Sequence, residues 1–120
     1  MRVVIRVDAS IEIGLGHVMR CLTLAEILKE NGVNVQFICR KHKGNLISKI
    51  ASKGFRVLGL ELQSYKNHSN KLFHSYLLGA TQKQDAESCN NFLKESRVDW
   101  LIVDHYGIDE DWQQHLKECY

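Results

Sequence analysis

The stretch Arg2-Val-Val-Ile-Arg-Val-Asp-Ala-Ser-Ile-Glu-Ile-Gly-Leu-Gly-His-Val-Met-Arg-Cys-Leu-Thr-Leu-Ala25 decides the fold. Its first part, Arg2 to Val7, places Val3, Val4, Ile5 and Val7 in a near-continuous apolar run, the pattern of a parallel strand buried on both faces. Its last part carries Val18, Cys21, Leu22 and Ala25, continued by Leu28, on one face of a helix. Gly32 follows as the C-terminal cap. In the turn between them, Gly14 and Gly16 permit positive φ and let a ligand come close to the backbone. The N–H groups of the first helical turn face the same place and suit a phosphate or a developing negative charge.

Two common glycine motifs are excluded. Position 19 is Met19 rather than the third glycine of the dinucleotide fingerprint, and no Gly-Lys-Ser/Thr ending completes a Walker A loop. What the turn does deliver is His17. An imidazole at the positive end of a helix dipole is disfavoured in its protonated form, so a neutral base is available near pH 7. Spacing alone leaves a helix-capping or gap-filling histidine as the alternative.

Working outward, the rest of the chain repeats strand and helix. Asn34 to Cys39 reads as the second strand, and Leu46, Ile47, Ile50 and Ala51 as a short helix closed by Gly54. Phe55 to Leu58 is the third strand. From Leu60 to Leu78 the signals conflict: Leu72, Phe73, Tyr76 and Leu77 have helical spacing, yet Asn67-His-Ser-Asn70 is loop chemistry. Thr81 and Gln84 stand at capping-box spacing before a helix with Ala86, Cys89, Phe92 and Leu93 on one side. Trp100 to Val103 is the fourth strand, and Asp109 opens a helix whose inward face is Trp112, Leu116 and Cys119. This order predicts an α/β, Rossmann-like parallel sheet flanked by helices on both faces. In such sheets ligands bind beyond the carboxyl ends of the strands.

Composition sets the bounds. The chain has 120 residues, 44% of them hydrophobic and 25% charged, which suits one globular domain. The net charge of +2 hides an uneven distribution, with 13 basic and 5 acidic residues up to position 84, then 3 basic and 9 acidic. So mild a total argues against a nucleic-acid partner. The basic stretch Arg40-Lys-His-Lys43 reads as a solvated face, with attraction of nucleotide phosphates as the alternative. Four widely spaced cysteines, Cys21, Cys39, Cys89 and Cys119, without a Cys-x-x-Cys pair, read as reduced, mostly buried thiols. Six histidines include none paired at i+4 and no accompanying acidic cluster, so no metal is expected. There is no signal-peptide pattern and no long apolar span, so no membrane partner and a cytoplasmic location are expected.

The residues Arg6-x-Asp8-x-Ser10-x-x-Ile13-Gly14-x-Gly16-His17-x-x-Arg20-Cys21-Leu22-x-Leu24-Ala25 resemble the opening of the UDP-2,4-diacetamido-2,4,6-trideoxy-β-L-altropyranose hydrolases of pseudaminic acid biosynthesis. That family is also called the spore-coat-polysaccharide-protein type. A second match lies at Asp99-Trp-Leu-Ile-Val-Asp-His-Tyr-Gly107, and Leu78-Gly-Ala-Thr-Gln82 with Asp85-Ala86 keeps the family's order between them. On its own, Asp104-His105-Tyr106 reads as a polar turn with a packing tyrosine; its register with the first motif favours a site.

The resemblance implies the N-terminal domain of a two-Rossmann-domain, GT-B-type protein. It makes His17 a general base that activates water for inverting attack on the anomeric carbon and expels UDP, with no metal or organic cofactor. It makes Asp8, Gly14, Gly16, Asp104, His105 and Tyr106 the substrate-binding set for a UDP-sugar, with Tyr106 beside the sugar. Asp8, at the end of the first strand, is the candidate to orient His17. On this resemblance, residues 1–120 are an incomplete N-terminal domain without its nucleotide-binding C-terminal domain. Alone they are expected to hydrolyse the UDP-sugar very poorly, and to associate with themselves or with the missing part. The alternatives are a GT-B-type glycosyltransferase and a non-catalytic fragment or binding module.

Overall fold

The computed structural model describes residues 1–62, 78–95, 97–105 and 107–117. Strands β1 (Arg2–Val7), β2 (Asn34–Arg40), β3 (Arg56–Leu60) and β4 (Trp100–Asp104) alternate with helices α1 (Gly16–Glu30), α2 (Ile47–Ser52), α3 (Gln82–Leu93) and α4 (Glu110–Lys117). The strands form one sheet in the order β3-β2-β1-β4, and every pairing is parallel. This is the expected Rossmann-like α/β architecture.

Period-two alternation along β1 divides the core. Val3, Ile5 and Val7 pack with Val18, Cys21, Leu22 and Ala25 of α1 and Ile50 of α2, while Val4 packs with Ala86, Cys89 and Phe92 of α3 and Trp112 of α4. Helices thus cover both faces, which is why all six residues of β1 are buried. The expected turn chemistry is present. Gly32 adopts φ +80°, and the N–H groups of Gly32 and Val33 close on the carbonyls of Lys29 and Leu28, which is a Schellman ending for α1. The reciprocal Thr81–Gln84 capping box opens α3. Asp109 accepts the Asp111 N–H at 2.8 Å before α4.

The strand ends differ slightly from the sequence reading. β2 and β3 run on to Arg40 and Leu60 because the Lys41 N–H still reaches the Leu60 carbonyl at 2.7 Å and the Arg40 N–H is taken by the Asp8 carboxylate at 2.7 Å. Among the described residues β4 pairs with β1 alone, and Trp100 is exposed on this edge. The undecided stretch around Leu72 to Leu77, and Cys119, lie outside the described residues. No helix among the described residues is long and apolar enough to cross a membrane.

Arg6 breaks the apolar run of β1. It points to the α3 side, fully buried, and its guanidinium is shared between two equally buried carboxylates, Asp8 at 2.6 Å and Asp85 at 2.7 Å. Asp85 also takes Arg40 and, at 2.8 Å, the Trp112 indole N–H. The basic stretch beginning at Arg40 is therefore only partly a solvated face. Arg40 is buried, whereas Lys41 and Lys43 are exposed.

Removing the cation alone strands two buried carboxylates, so Arg6→Met should lower stability by about 3–5 kcal/mol in urea unfolding. Glu26→Gln, which breaks the exposed Lys53–Glu26 pair, should change it by no more than about 0.5 kcal/mol. An Arg6→Met protein as stable as the parent would show that the buried pairs do not hold the sheet to α3.

Candidate functional site

The loop from β1 to α1 is a closed turn. Ser10 Oγ accepts the Ile13 N–H at 2.9 Å, the Ser10 carbonyl accepts the Gly14 N–H at 2.8 Å, and Gly14 turns the chain with φ +85°. Gly16 departs from expectation. It has no positive φ and is the first residue of α1, and a Cβ built on it meets nothing within 4 Å. Its contribution is an unobstructed backbone at the helix start. Leu15 precedes it as the N-cap residue and makes no side-chain hydrogen bond to the amide groups of the first turn, as a Ser or Asp would.

The register of β1 with β4 sets Asp104 level with Val7, which brings the end of β4 against that first turn. There His17 Nδ1 lies 2.7 Å from Asp104 Oδ1. The other oxygen, Oδ2, receives Arg20 through Nη2 at 2.6 Å and Nε at 3.2 Å. Arg20 Nη2 is also 3.2 Å from His17 Nδ1. The two contacts at Nδ1 ask for opposite tautomers, and the shorter decides. A carboxylate oxygen 2.7 Å from a bare ring nitrogen would set two lone pairs against each other, so Nδ1 carries a proton, and in the neutral ring Nε2 holds the lone pair. Burial works to raise the Asp104 carboxyl, but hydrogen bonds from Arg20 and His17 hold it below its ordinary range. The carboxylate beside the His17 ring is thus Asp104, where the sequence had offered Asp8.

Asp8 does something else. Its carboxylate is fully buried beside Arg6, accepts the Arg40 N–H, and receives Nε2 of His105 at 2.7 Å and Nε2 of His42 at 3.2 Å. His105 is fixed from its other side, since the Gly107 N–H donates to Nδ1 at 2.8 Å and leaves the proton on Nε2. Asp8 and His105 belong to the expected substrate-binding set; their side chains are 0% and 2% exposed and pair with each other beneath the loops.

Asp8, His42 and His105 also lie close enough to suggest a metal site. Their chemistry does not suit one. Nε2 of His105 is already a donor, and Arg6 Nη2 stands 3.1 Å from the same Asp8 oxygen, so a cation there would face a buried guanidinium. Sequence spacing could not have found this cluster, because its members come from three separate strand ends.

A recess of about 370 Å³ opens beside this network, between Ser10 and Ile11 on one side and His42, Lys43, Leu62 and Gly79 on the other. Among the cysteines, burial pushes Cys21 up to about 11 and Cys39 up to about 12, and it raises Cys89 as well. They are buried thiols without disulfides, as expected, and are not nucleophiles at neutral pH. Tyr106 lies outside the described residues. Of the expected site residues, the structure brings Gly14, Gly16, His17 and Asp104 to one corner, over Asp8 and His105. Arg20 at this corner, and Asp85 beneath it, were not singled out as site residues in the sequence.

No protein-family model matches the chain. An uncharacterized protein of Methanocaldococcus jannaschii is 28% identical over 118 residues, covering 98% of this chain and 20% of that protein. A UDP-2,4-diacetamido-2,4,6-trideoxy-β-L-altropyranose hydrolase of Campylobacter jejuni is 29% identical over 117 residues, covering 98% of this chain and 32% of that protein. The chain thus spans about a fifth and a third of the lengths of these relatives. It is distantly related to a UDP-sugar hydrolase.

The buried network predicts how stability depends on pH. Burial works to raise Asp8 and Asp85, but their arginines hold both below the usual carboxylate value, so their contribution is complete above that value and is lost as pH falls through the folded ones. For His105, burial holds the imidazole below its usual 6.5 although Asp8 opposes the shift. The unfolded chain therefore binds this proton first. Stability should begin to fall as pH drops below about 6.5 and fall further through the acid range in chemical denaturation. His105→Gln keeps a donor for Asp8 and an acceptor for Gly107 but cannot titrate, so it should abolish the first stage. An unchanged first stage would exclude His105 as its source.

Proposed function

We propose that the protein carrying this chain hydrolyses a UDP-activated 2,4-diacetamido-trideoxy sugar, with His17 as the base. The observation that carries the reading is the His17–Asp104 pair at the carboxyl edge of the sheet, between adjacent strands whose connections leave on opposite faces. A carboxylate on Nδ1 turns Nε2 into a directed lone pair. Nε2 takes a proton from water as the oxygen attacks the anomeric carbon. The bond from that carbon to the UDP oxygen breaks, and the sugar leaves with inverted configuration.

The surroundings support this chemistry. Gly14 and Gly16 leave the backbone of the turn open, and the uncapped N-terminus of α1 offers N–H groups and a positive potential toward negative charge. Asp8 and His105 act from below, holding the β1–α1, β2–α2 and β4–α4 loops at fixed separations. The distant relationship to a UDP-sugar hydrolase supports a UDP-sugar as the substrate class. Binding groups beyond this chain's residues would hold the remote parts of such a substrate, and that binding positions the reacting carbon.

In the protein that carries residues 1–120, His17→Ala should reduce UDP release by a hundredfold or more, on the order expected for loss of a general base. Asp104→Asn should do comparable damage. Its amide donor and Arg20 would both point at Nδ1, favouring the tautomer that places the proton on Nε2; an aspartate-to-asparagine change in a catalytic triad acts in the same way. Steady-state assay of UDP and free sugar checks both variants. Near-normal turnover in either would remove the pair from catalysis, and a glycoside in place of free sugar would make the enzyme a transferase.

A further inference from the structure

Arg20 sits one turn beyond His17 on α1, with its guanidinium folded back across the start of the helix to the end of β4. Although its side chain is 68% exposed, it contacts a single oxygen of Asp104 through two nitrogens, while His17 holds the other oxygen. An ion pair with so exposed an arginine contributes little to stability. Its placement matters more for the imidazole on the far side.

A carboxylate on a catalytic histidine has two effects that pull apart. It fixes the ring and its tautomer, which a base needs. It also attracts the proton that a base must lose, favouring the imidazolium. We propose that Arg20 is a positioning residue that separates these effects, locking Asp104 by its second oxygen and offsetting its charge so that His17 is oriented without being held protonated. This deepens, and rests on, the reading of His17 as the base. The charged and titratable groups facing His17 include Asp104 from β4 and, from its own helix, Arg20; the Cys21 thiol meets the same Asp104 oxygen at 3.8 Å and, raised by burial, stays neutral. Lysine in this place would keep the charge but lose the planar fork.

The test follows the imidazole of His17 directly, by ¹⁵N NMR of the histidine-labelled 120-residue chain across the neutral pH range. Arg20→Met should move its titration midpoint upward, the direction expected for losing a neighbouring positive charge. Arg20→Gln keeps a donor to Asp104 without the charge and should give the same shift, so it serves if the methionine variant does not fold. Arg20→Lys should stay near the parent value.

In the protein that carries this region, the acid limb of kcat should move with the midpoint while KM changes less than about twofold. A folded Arg20→Met or Arg20→Gln chain with an unmoved midpoint would overturn the proposal. A shifted midpoint with turnover indifferent to His17 would uphold the coupling and refute the base.

Discussion

The buried guanidinium of Arg6 is the constraint on which the rest of the structure depends. A charge placed in the middle of a strand covered on both faces is tolerable only if counter-ions meet it inside. Here they come from two directions, Asp8 at the end of the same strand and Asp85 on α3. Each carboxylate then needs its remaining lone pairs filled, and the partners recruited spread through the fold. Asp85 draws in Arg40 from β2 and Trp112 from α4, and Asp8 draws in the Arg40 N–H, His42 and His105. One cation thereby fixes the depth of α3 against the sheet and the positions of three loops at its carboxyl edge. Almost all of it is hidden from solvent.

The same edge holds two histidine–carboxylate pairs with opposite characters. His105 and Asp8 are buried, and every polar atom on the imidazole is committed: Nε2 to Asp8, Nδ1 to the Gly107 N–H. Such a pair is a brace. His17 and Asp104 lie nearer the surface, 14% and 21% exposed, at the start of a helix rather than under a loop. Asp104 meets the ring at Nδ1, and Arg20 joins the same carboxylate from α1. The difference does not lie in residue type, since both are Asp with His. It lies in burial and in the elements that each pair joins.

Local signals in the sequence carried most of the architecture. The run from Val3 to Val7, the apolar face of α1, the glycine after Asn31 and the Thr81–Gln84 box each act within a few residues, and each produced the element that its chemistry dictates. The His17 turn was legible for the same reason. What stayed hidden depends on strand order. Arg6 meets Asp85 across 79 positions, His17 meets Asp104 across 87, and His105 meets Asp8 across 97. Spacing says nothing at such separations. Asp8, nearest to the glycine turn along the chain, therefore looked like the partner of His17, while β4 beside β1 supplied the true one. Arg40 looked like surface because its neighbours Lys41 and Lys43 are basic too, yet it is the last residue of β2 and buried like the rest of that strand after Asn34, whereas Lys41 and Lys43 lie beyond the strand end and are exposed.

Asp104 fixes the proton of His17 on Nδ1, the arrangement that the proposed base role of Nε2 requires. Long-range ¹H–¹⁵N correlation spectra of the imidazole at a pH where the ring is neutral test it most directly. A protonated-type shift is expected for Nδ1 and a bare-nitrogen shift for Nε2, with the two exchanging in Asp104→Asn. A proton residing on Nε2 in the parent protein would contradict it.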